Sequence, residues 1–514
     1  MPTSSRSRLR DLLPVAICLL FLGLECANAN LQMEAIFGDH MVLQCDKPIR
    51  VWGRDKPGNT VTVCLSDHSG AILSKATAMT SPDGRWDVLL EPVEGGRKTE
   101  LRITTDAGEE KTFTDVLIGE VWLLSGQSNM RWSLKKSQDG QREVQEADHP
   151  RLRLFLIDPT PRAEPQVAVA GHWQVCTPES AASFSGPGYF FGRELMATLD
   201  RPVGLICATV GGTPIHPWIP LAALNADPQT AHYEADRRAY FAQPPEKRKK
   251  ARGTSIYGAK GQFAPGWLFN GMIHPLIPLT MRGVAWCQGE ANSRPHQWGG
   301  PSLYRTLFPM LIQSWRGQWK GDRLPFLYVE LANHLAAQSG PVDEGVKINW
   351  ADIREAQAEA LALPSVFMVP AIDLGLAEEI HYPNKKAVGR RLAQAALGAL
   401  YGLGEPPYLA PRLESHTVEG AKIRLRFSDA AGLRTTDGKS PATFAIKGNG
   451  KGWMWAEAAI EADEIVVWHP EISQPEAVRH AWASNPSVNV VNKANLPLSS
   501  FRIDKPQQAY PPNP

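Results

Sequence analysis

Hydrophobic and polar residues alternate with a period of two over the first part of the chain, from about residue 30 to 115. Val61, Val63 and Leu65 form one such apolar face, and turn sequences such as Ser81–Gly84 separate the alternating segments. Alternation of this kind places apolar side chains on one face of a strand. This part of the chain is therefore predicted to be a small β-sandwich domain. Its side chains form no pattern typical of catalysis, so we expect a structural role or a role in holding a glycan.

Short, wholly apolar runs replace the alternating pattern between about residues 116 and 402. Amphipathic segments of helical period separate them, which predicts strands buried on both faces and helices that cover them. Repeated strand–helix units form a parallel sheet with helices on both sides, and ligands bind beyond the carboxyl ends of its strands. The predicted strands are Val121–Leu124, Val203–Ile206, Gly283–Trp286, Phe326–Val329 and Val366–Ile372, and the clearest helices are Leu303–Trp315 and Lys385–Leu400.

Period-two alternation returns after a proline-containing linker at Glu405–Pro407, for example at Lys422–Phe427 and Glu464–Trp468. This pattern predicts a second β domain over residues 403–505. The predicted fold class is thus α/β, with a central parallel-sheet domain flanked by an N-terminal β-sandwich and a C-terminal β domain. Residues 506–514 are polar and rich in proline, and are expected to form a disordered tail.

The first 29 residues have the pattern of a secretory signal peptide. Three arginines precede an apolar stretch, Leu12–Leu24, and small residues follow at Ala27 and Ala29, where signal peptidase needs them. An uncleaved membrane anchor is the alternative, but the apolar stretch is short for a bilayer span, which takes about 20 residues. We expect export to the periplasm or the cell exterior, with a mature chain that begins near Asn30 and has no membrane span.

Composition and charge narrow the class of partners. The chain of 514 residues has a formal net charge of +1 at pH 7, which gives no electrostatic reason to expect binding to nucleic acid or to an anionic membrane. Five cysteines follow the signal, an odd number at scattered spacings, so the sequence shows neither a disulfide framework nor a metal site. Pairing of the first two in an oxidising compartment is left open. These cysteines are Cys45, Cys64, Cys176, Cys207 and Cys287.

Two of the predicted strands end in sequences that suit acyl transfer. Ser128 stands in the sequence S-G-Q-S-N-M (125–130) directly after the first strand. A tight turn there exposes the hydroxyl and lets the backbone N–H face a developing oxyanion. Gly211 and Gly212 follow the next strand, and two glycines let the backbone approach a ligand and leave an N–H free to donate. On local grounds alone, each sequence is more typical of a structural turn.

Two further strand ends offer an amide donor and a base. The sequence W-C-Q-G-E-A-N (286–292) provides Gln288 as a candidate donor to an oxyanion, while Glu290 is expected to tie loops together rather than act as a base. His381 lies at the end of the last strand, just before a helix. A histidine with a nearby carboxylate is the base-and-orienter pair that nucleophilic catalysis requires. The carboxylates ahead of His381 are Asp373, Glu378 and Glu379.

Together these sequences resemble one known family. The blocks G-Q-S-N-M, G-G-T-P-I-x-x-W, W-x-Q-G-E-x-N and D-L-G…I-H-x-x-N-K-x-x-V-G-x-R-L-A look like those of the sialate O-acetylesterase family of SGNH hydrolases, and the match runs in order from about Leu31 to Asp504. The resemblance implies an SGNH-type, flavodoxin-like hydrolase domain at 116–402, with Ser128 as nucleophile and His381 as base. It also implies that Gly211, Gly212 and Gln288 donate to the oxyanion together with the Ser128 N–H. Asn129 and Glu290 are the supporting residues.

The sequence departs from the family's pattern at two positions. Cys287 stands where the family often has tyrosine, which alters the pocket wall. The family commonly has Asp-Ile-His-Pro around the histidine, whereas this chain has E-I-H-Y-P at 379–383. We expect Glu379 to be the acidic partner of the histidine. The second candidate is Glu378, which the D-x-x-H spacing of the wider superfamily selects, and the third is Asp373.

The resemblance implies a carbohydrate O-acetylesterase that acts on an O-acetylated sugar without a metal or organic cofactor. His381 takes the proton of Ser128 as the hydroxyl attacks the acetyl carbonyl, and water hydrolyses the acetyl-enzyme that forms. The rate is expected to fall below about pH 6.5, where a histidine side chain ordinarily becomes protonated. The alternatives are a glycan-binding protein on an inactive hydrolase fold, an esterase for non-sugar esters and, least favoured, a hydrolase that uses Cys287.

Overall fold

The structure, a computed structural model, describes residues 30–251, 254–295, 297–320, 323–342, 348 and 350–504. It is a mixed α/β structure with one large mixed sheet and several smaller antiparallel sheets. The predicted signal peptide at 1–29 and the predicted tail at 506–514 lie outside the described residues. Within the described residues, no helix is long and apolar enough to cross a bilayer.

Residues 30–126 form strands whose side chains alternate between buried and partly exposed, as the period-two pattern predicts. The strand Thr60–Asp67 buries Val61, Val63 and Leu65 and leaves the residues between them partly exposed. The strands of this segment are β1 (Gln32–Met33), β2 (Val42–Gln44), β3 (Ile49–Arg54), β4 (Thr60–Asp67), β5 (Ile72–Met79), β6 (Arg85–Leu90), β7 (Lys98–Thr105) and β8 (Glu110–Gly126).

The long strand β8 belongs to both the outer and the central part of the large sheet. Its first half pairs antiparallel with β7, and its second half pairs in parallel with strands of the central part. Side chains are mostly exposed or half-buried before Val116 and continuously buried from there to Gly126. The pattern change at residues 115–116, where the sequence prediction divides two domains, therefore falls inside one continuous strand.

The central part of the large sheet is built from parallel strands with one antiparallel strand, β10, at its edge. In chain order these strands are β9 (His149–Leu156), β10 (Trp173–Cys176), β11 (Val203–Thr209), β14 (Gly283–Cys287), β15 (Phe326–Val329) and β16 (Val366–Val369). Between β11 and β14 in the chain, β12 (Lys250–Ala251) and β13 (Thr254–Ser255) form a separate short pair. Their spatial order is β10–β9–β11–β8–β14–β15–β16. All five predicted apolar runs form strands here. The last ends three residues earlier than predicted, because Pro370 has no N–H to donate to the sheet.

Helices cover both faces of these strands. One buried cluster contains Trp286, Tyr304 and Tyr328, and another contains Trp122, Phe191 and Leu392. The helices are α1 (Ser128–Arg131), α2 (Gly140–Gln145), α3 (Pro178–Ser183), α4 (Gly186–Leu199), α5 (Leu221–Ala226), α6 (His232–Ala242), α7 (Gly300–Trp319), α8 (Trp350–Ala358) and α9 (Lys385–Tyr401). Tyr304 lies on α7, whereas Phe191 and Leu392 lie on α4 and α9, so the two clusters occupy opposite faces.

The C-terminal residues form two four-stranded antiparallel sheets around a separate apolar cluster that includes Ile423, Leu425 and Ile465. The alternation predicted at Lys422–Phe427 and Glu464–Trp468 is observed in paired strands. These strands are β17 (Arg412–Glu419), β18 (Lys422–Ser428), β19 (Arg434–Thr435), β20 (Phe444–Gly448), β21 (Met454–Trp455), β22 (Glu457–Glu461), β23 (Glu464–Trp468), β24 (Pro475–His480), β25 (Val490–Val491) and β26 (Phe501–Arg502).

Candidate active site

Three neighbouring strands end beside one another at the carboxyl edge of the central sheet. In the parallel registers, Gly126 of β8 lies opposite the last residue of β11 on one side and the last residue of β14 on the other. Ser128, Gly211 and Gln288 follow these strand ends by one or two residues. The sheet register therefore brings three of the predicted site residues to one edge.

Gly126 allows the sharp turn that precedes Ser128. Its φ of +122° lies in the region that favours glycine, and a Cβ at this position would lie 2.1 Å from the carbonyl oxygen of Cys287. Gln127 donates its N–H to the same oxygen at 2.9 Å. Ser128 then begins α1 with its side chain partly exposed. Its N–H is one of the donors that have no partner within the helix.

Gly211 packs directly against Ser128. A Cβ on Gly211 would lie 3.6 Å from the Cβ of Ser128, and the adjacent Gly212 has a φ of +71°. Both glycines are exposed, and neither N–H donates to another residue within the described part of the chain. The hydroxyl of Thr213 anchors the turn by donating to the Val210 carbonyl at 2.8 Å. The turn thus has two backbone N–H groups without acceptors among the described residues, and Gly211 carries one of them close to Ser128.

Gln288 reaches the same edge with its amide already engaged. The side chain is buried, and its Nε2 donates to Asn292 Oδ1 at 2.8 Å and to the Thr213 carbonyl at 3.3 Å. Tyr304 donates its hydroxyl to Gln288 Oε1 at 2.9 Å. The contact with Thr213 is long, and it is the weaker of the two hydrogen bonds that the amide donates.

Asn292 is missing from the predicted site residues, although it closes the W-x-Q-G-E-x-N block. It is fully buried, and its Oδ1 accepts hydrogen bonds from Gln288 and from the Ile215 N–H, the latter at 3.0 Å. These two donors fix the orientation of the amide and leave Nδ2 buried without a hydrogen-bond partner among the described residues. Such groups are rare in folded proteins, so Asn292 is a second candidate donor in the same loop.

His381 lies in the loop between β16 and α9, with 30% of its side chain exposed. Its Nδ1 is 3.2 Å from Glu379 Oε1, and the same oxygen accepts the His381 N–H at 2.7 Å. That backbone hydrogen bond is the main cause of a lowered pKa of Glu379. Of the other two carboxylates, Asp373 is held by two hydrogen bonds of 2.7 Å from Arg391, and Glu378 is exposed to solvent.

The imidazole of His381 stacks on Trp132, just after α1. The ring centroids are 4.9 Å apart, and the planes differ by 16°. Within the described residues, no hydrogen bond joins the Ser128 hydroxyl to His381, and the stack helps to hold the ring beside the segment that carries Ser128. Catalytic hydrogen bonds often tighten only when substrate binds.

Asn129 links the Ser128 helix to two other strand ends. Its Nδ2 donates to Glu290 Oε1 and to the Ile380 carbonyl, the latter at 3.1 Å. Its Oδ1 accepts a hydrogen bond of 2.5 Å from Lys385 Nζ. One side chain therefore connects the β8 end, the β14 end and the loop that carries the histidine.

The cysteines do not offer a competing nucleophile at this edge. Cys287 is buried, and burial raises the pKa of its thiol; a buried thiol of this kind is a poor nucleophile. Among the described residues, all five cysteines are free thiols, so the pairing of Cys45 with Cys64 that the sequence leaves open is not formed.

One group of potential metal ligands, Cys45, Asp46 and Glu120, occurs among the described residues. Arg282 donates to both oxygens of Glu120 at 2.7 and 3.0 Å, and Arg201 donates to Asp46 at 2.5 Å. Burial is the main cause that raises the pKa of Cys45 to about 12. The carboxylate oxygens that could bind a metal thus already accept hydrogen bonds from two arginines. Together these side chains form a cluster of ion pairs between the N-terminal segment and the central sheet.

The chain matches the family described as carbohydrate esterase, sialic acid-specific acetylesterase, over residues 118–241 and 253–398, which is more than half of its length. The chain belongs to this family. Membership confirms the resemblance inferred from the four sequence blocks. It makes the protein a carboxylic-ester hydrolase that acts on O-acetyl esters of sugars, and it argues against the glycan-binding alternative.

Relatives of this acetylesterase cover most of the chain. The sialate O-acetylesterase of Homo sapiens is 31% identical over an alignment of 421 positions that covers 76% of this chain and 75% of the relative. That of Mus musculus is 28% identical over 499 residues, covering 90% and 91% of the two chains. A crystal structure of a carbohydrate acetylesterase from Xanthomonas citri is 33% identical, with a TM-score of 0.79, and covers 92% of this chain and 99% of that one.

A cavity of about 480 Å³ in this acetylesterase lies away from the strand-end residues, between α7, α8 and β26. Charged side chains in it pair with one another: Arg502 donates to both oxygens of Glu355 at 2.6 Å, and Arg305 contacts Glu355 and Glu359. None of Ser128, His381 or the glycine turn lines this cavity. The cavity is therefore separate from the candidate site at the edge of the sheet.

Proposed function

We propose that the acetylesterase uses Ser128 as its nucleophile, His381 as its base and Glu379 as the group that orients the imidazole. The observation that carries the proposal is the contact of Ser128 with the exposed Gly211 turn, at the strand edge that His381 also reaches. A partly exposed hydroxyl next to a turn with free backbone N–H groups is the arrangement that acyl transfer needs.

In the proposed mechanism His381 accepts the Ser128 proton while the serine oxygen bonds to the acetyl carbon. The negative oxygen of the tetrahedral intermediate is stabilised by the N–H groups of Ser128 and of the Gly211–Gly212 turn, with Gln288 as a side-chain donor. The intermediate collapses, and the sugar alkoxide leaves with the proton from the imidazole. Water then attacks the acetyl-enzyme by the same route and releases acetate.

We also propose the finer fold and location that the sequence predicts. The parallel strands and their helices would be an SGNH-type, flavodoxin-like domain at residues 116–402, between a β-sandwich at 30–115 and a β domain at 403–505. A signal peptide at 1–29 would direct the protein to the periplasm or the cell exterior. The substrate is an O-acetylated sugar, and the relatives' name makes O-acetylated sialic acid the first ester to test.

The test is acetate release by the mature protein from a panel of acetylated sugars that includes sialic acid, xylan and pectin esters. Ser128→Ala is expected to abolish release, because the acyl acceptor is lost. Ser314→Ala, a control on α7 whose hydroxyl donates to a helix carbonyl at 2.9 Å, is expected to retain it. A folded wild-type protein that releases no acetate would favour a glycan-binding function. Release that persists in Ser128→Ala would refute the role of this serine.

A further inference from the structure

Lys385, the first residue of α9, carries its charge into the interior. Its side chain is 0% exposed, and its ammonium donates to Asn129 Oδ1 and lies 3.6 Å from the ring centre of Tyr382. Lysine is rarely fully buried unless it is paired, and a cation at the first position of a helix is opposed by the helix dipole. Specific contacts must offset both costs, and the hydrogen bond to Asn129, the residue after Ser128, is one of them.

The amide of Asn129 has one favourable orientation, and Lys385 selects it. With Oδ1 toward the ammonium, Nδ2 donates to Glu290 and to the Ile380 carbonyl. The reversed amide would point N–H groups at a cation and its oxygen at a carboxylate and a carbonyl, and all three contacts would be repulsive. The cation therefore fixes the side chain that joins the nucleophile's helix to the residue before His381.

We propose that Lys385 is a positioning residue of this esterase: its ammonium holds Asn129 in the orientation that keeps Ser128 and His381 aligned for proton transfer. The proposal rests on the proposed roles of Ser128 and His381 and extends them, because it adds a residue that acts through Asn129 and not on the reacting atoms. A lysine in this place should influence kcat and the reactivity of the serine, and should leave KM nearly unchanged.

The protonation state of Lys385 gives the proposal a signature in the pH profile. Burial lowers its pKa to about 8, and a Cβ added at Gly186 of α4 would lie only 3.4 Å from the Cβ of Lys385. Above that pH the amine is neutral, so its hydrogen bond to Asn129 loses charge assistance and roughly half of its strength. The titratable groups that face the ammonium are Cys287, Glu290, Glu379 and Tyr382.

The experiment compares Lys385→Met with Lys386→Met. Lys386 is the next residue on the same helix and donates to Glu143 at 2.7 Å, so the same substitution there is a matched control. The measurement is the rate at which an alkyl fluorophosphonate labels Ser128 from about pH 6 to pH 10. In that reaction the serine oxygen displaces fluoride at phosphorus and its proton passes to His381. No sugar is needed, so the result does not depend on the natural substrate.

We expect Lys385→Met to be labelled about tenfold more slowly than the wild type at pH 7, because Asn129 loses a charge-assisted hydrogen bond. The wild-type rate should fall above about pH 8, and this fall should be absent in Lys385→Met and present in Lys386→Met. A folded Lys385→Met with the wild-type rate and profile would overturn the proposal. If Lys385→Met does not fold, the proposal would be overturned by a wild-type labelling rate that does not fall above about pH 8. A wild-type protein that is not labelled at all would instead refute the role of Ser128.

Discussion

The carboxylate that faces His381 is open to water. The side chain of Glu379 is 53% exposed, and the 3.2 Å between its Oε1 and the imidazole Nδ1 is long for a hydrogen bond. Water and salt screen such a pair. We predict that Glu379→Gln lowers kcat only about tenfold, whereas loss of the acid from a buried triad costs about 10⁴-fold. Steady-state hydrolysis of an activated acetyl ester measures the effect.

Glu378→Gln is the control for this prediction, because Glu378 is exposed and precedes Glu379 directly. Its kcat should stay within about twofold of the wild-type value, as expected for an exposed charge that is screened by solvent. A larger loss in Glu378→Gln than in Glu379→Gln would transfer the orienting role to Glu378.

The sequence could predict which residues come together at the candidate site, but not their hydrogen bonds. Ser128 and Gly211 follow apolar runs, and the period of those runs is enough to bring both to one sheet edge. The direction of a buried amide depends on partners far away in the chain. The Ile215 N–H donates to Oδ1 of Asn292 and so turns this oxygen toward Gln288, which also donates to it. No local pattern in the sequence specifies the pairing of Asn292 with Ile215.

At the scale of elements, the close approach of β8 and β14 depends on Gly126. An added Cβ would lie 2.1 Å from a backbone oxygen of β14, and the φ of +122° is unfavourable for any other residue. We predict that Gly126→Ala destabilises the protein by about 3 kcal/mol and lowers activity further, because the strand end that carries Ser128 must move. The urea midpoint and acetyl-ester hydrolysis measure the two effects.

Gly317→Ala gives the opposite expectation for the same substitution. Gly317 is exposed on α7, and an added Cβ would meet nothing within 4 Å. Alanine favours a helix over glycine by roughly 0.5–1 kcal/mol, so the variant should be slightly more stable than the wild type and equally active. Equal effects of the two substitutions would show that the β8–β14 contact does not limit stability.

The elements with a clear period could be predicted closely, and the differences have local causes. The helix predicted at Lys385–Leu400 runs from Lys385 to Tyr401, since Gly402 ends it with a φ of +64°. The helix predicted at Leu303–Trp315 begins earlier, at Gly300. Neither period nor composition could show that β8 continues from the outer part of the large sheet into the parallel strands, because its burial pattern changes inside one strand.

A buried charge joins segments of this protein that are distant in sequence. Arg354 on α8 is buried and donates to the carbonyls of Leu331, Ala483 and Ser484 at 2.8–3.0 Å. These contacts tie the end of β15 to the C-terminal region. Sequence spacing contains no information on such pairs, so the pattern of the chain could predict strands and helices but not these long-range contacts.

Glu330, at the end of β15, is a buried carboxyl group of this region with no hydrogen-bonded cation among the described residues. It is 2% exposed, lines the cavity between α8 and β26, and accepts a hydrogen bond of 3.3 Å from Ser499. Burial raises its pKa to about 7, although Arg354 acts in the opposite direction. In an unfolded chain the same carboxyl titrates near pH 4.3. Between these two pH values, Glu330 keeps its proton in the folded protein and has lost it in the unfolded chain.

This difference in pKa fixes the sign of a pH effect on stability. The stabilisation due to the retained proton is complete below about pH 4 and is lost as the pH rises through about 7. Relative to Glu330→Gln, which has no such proton, the wild type should lose about 2 kcal/mol of unfolding free energy between pH 5 and pH 8. Urea unfolding of both proteins at the two pH values measures this loss.

Glu355→Gln is the control in the same cavity. Burial acts to raise the pKa of Glu355, but the hydrogen bonds from Arg502 and Arg305 together lower it, so the substitution should weaken the protein equally at both pH values. Parallel pH dependences for the wild type and Glu330→Gln would show that Glu330 is already ionised in the folded protein at pH 5.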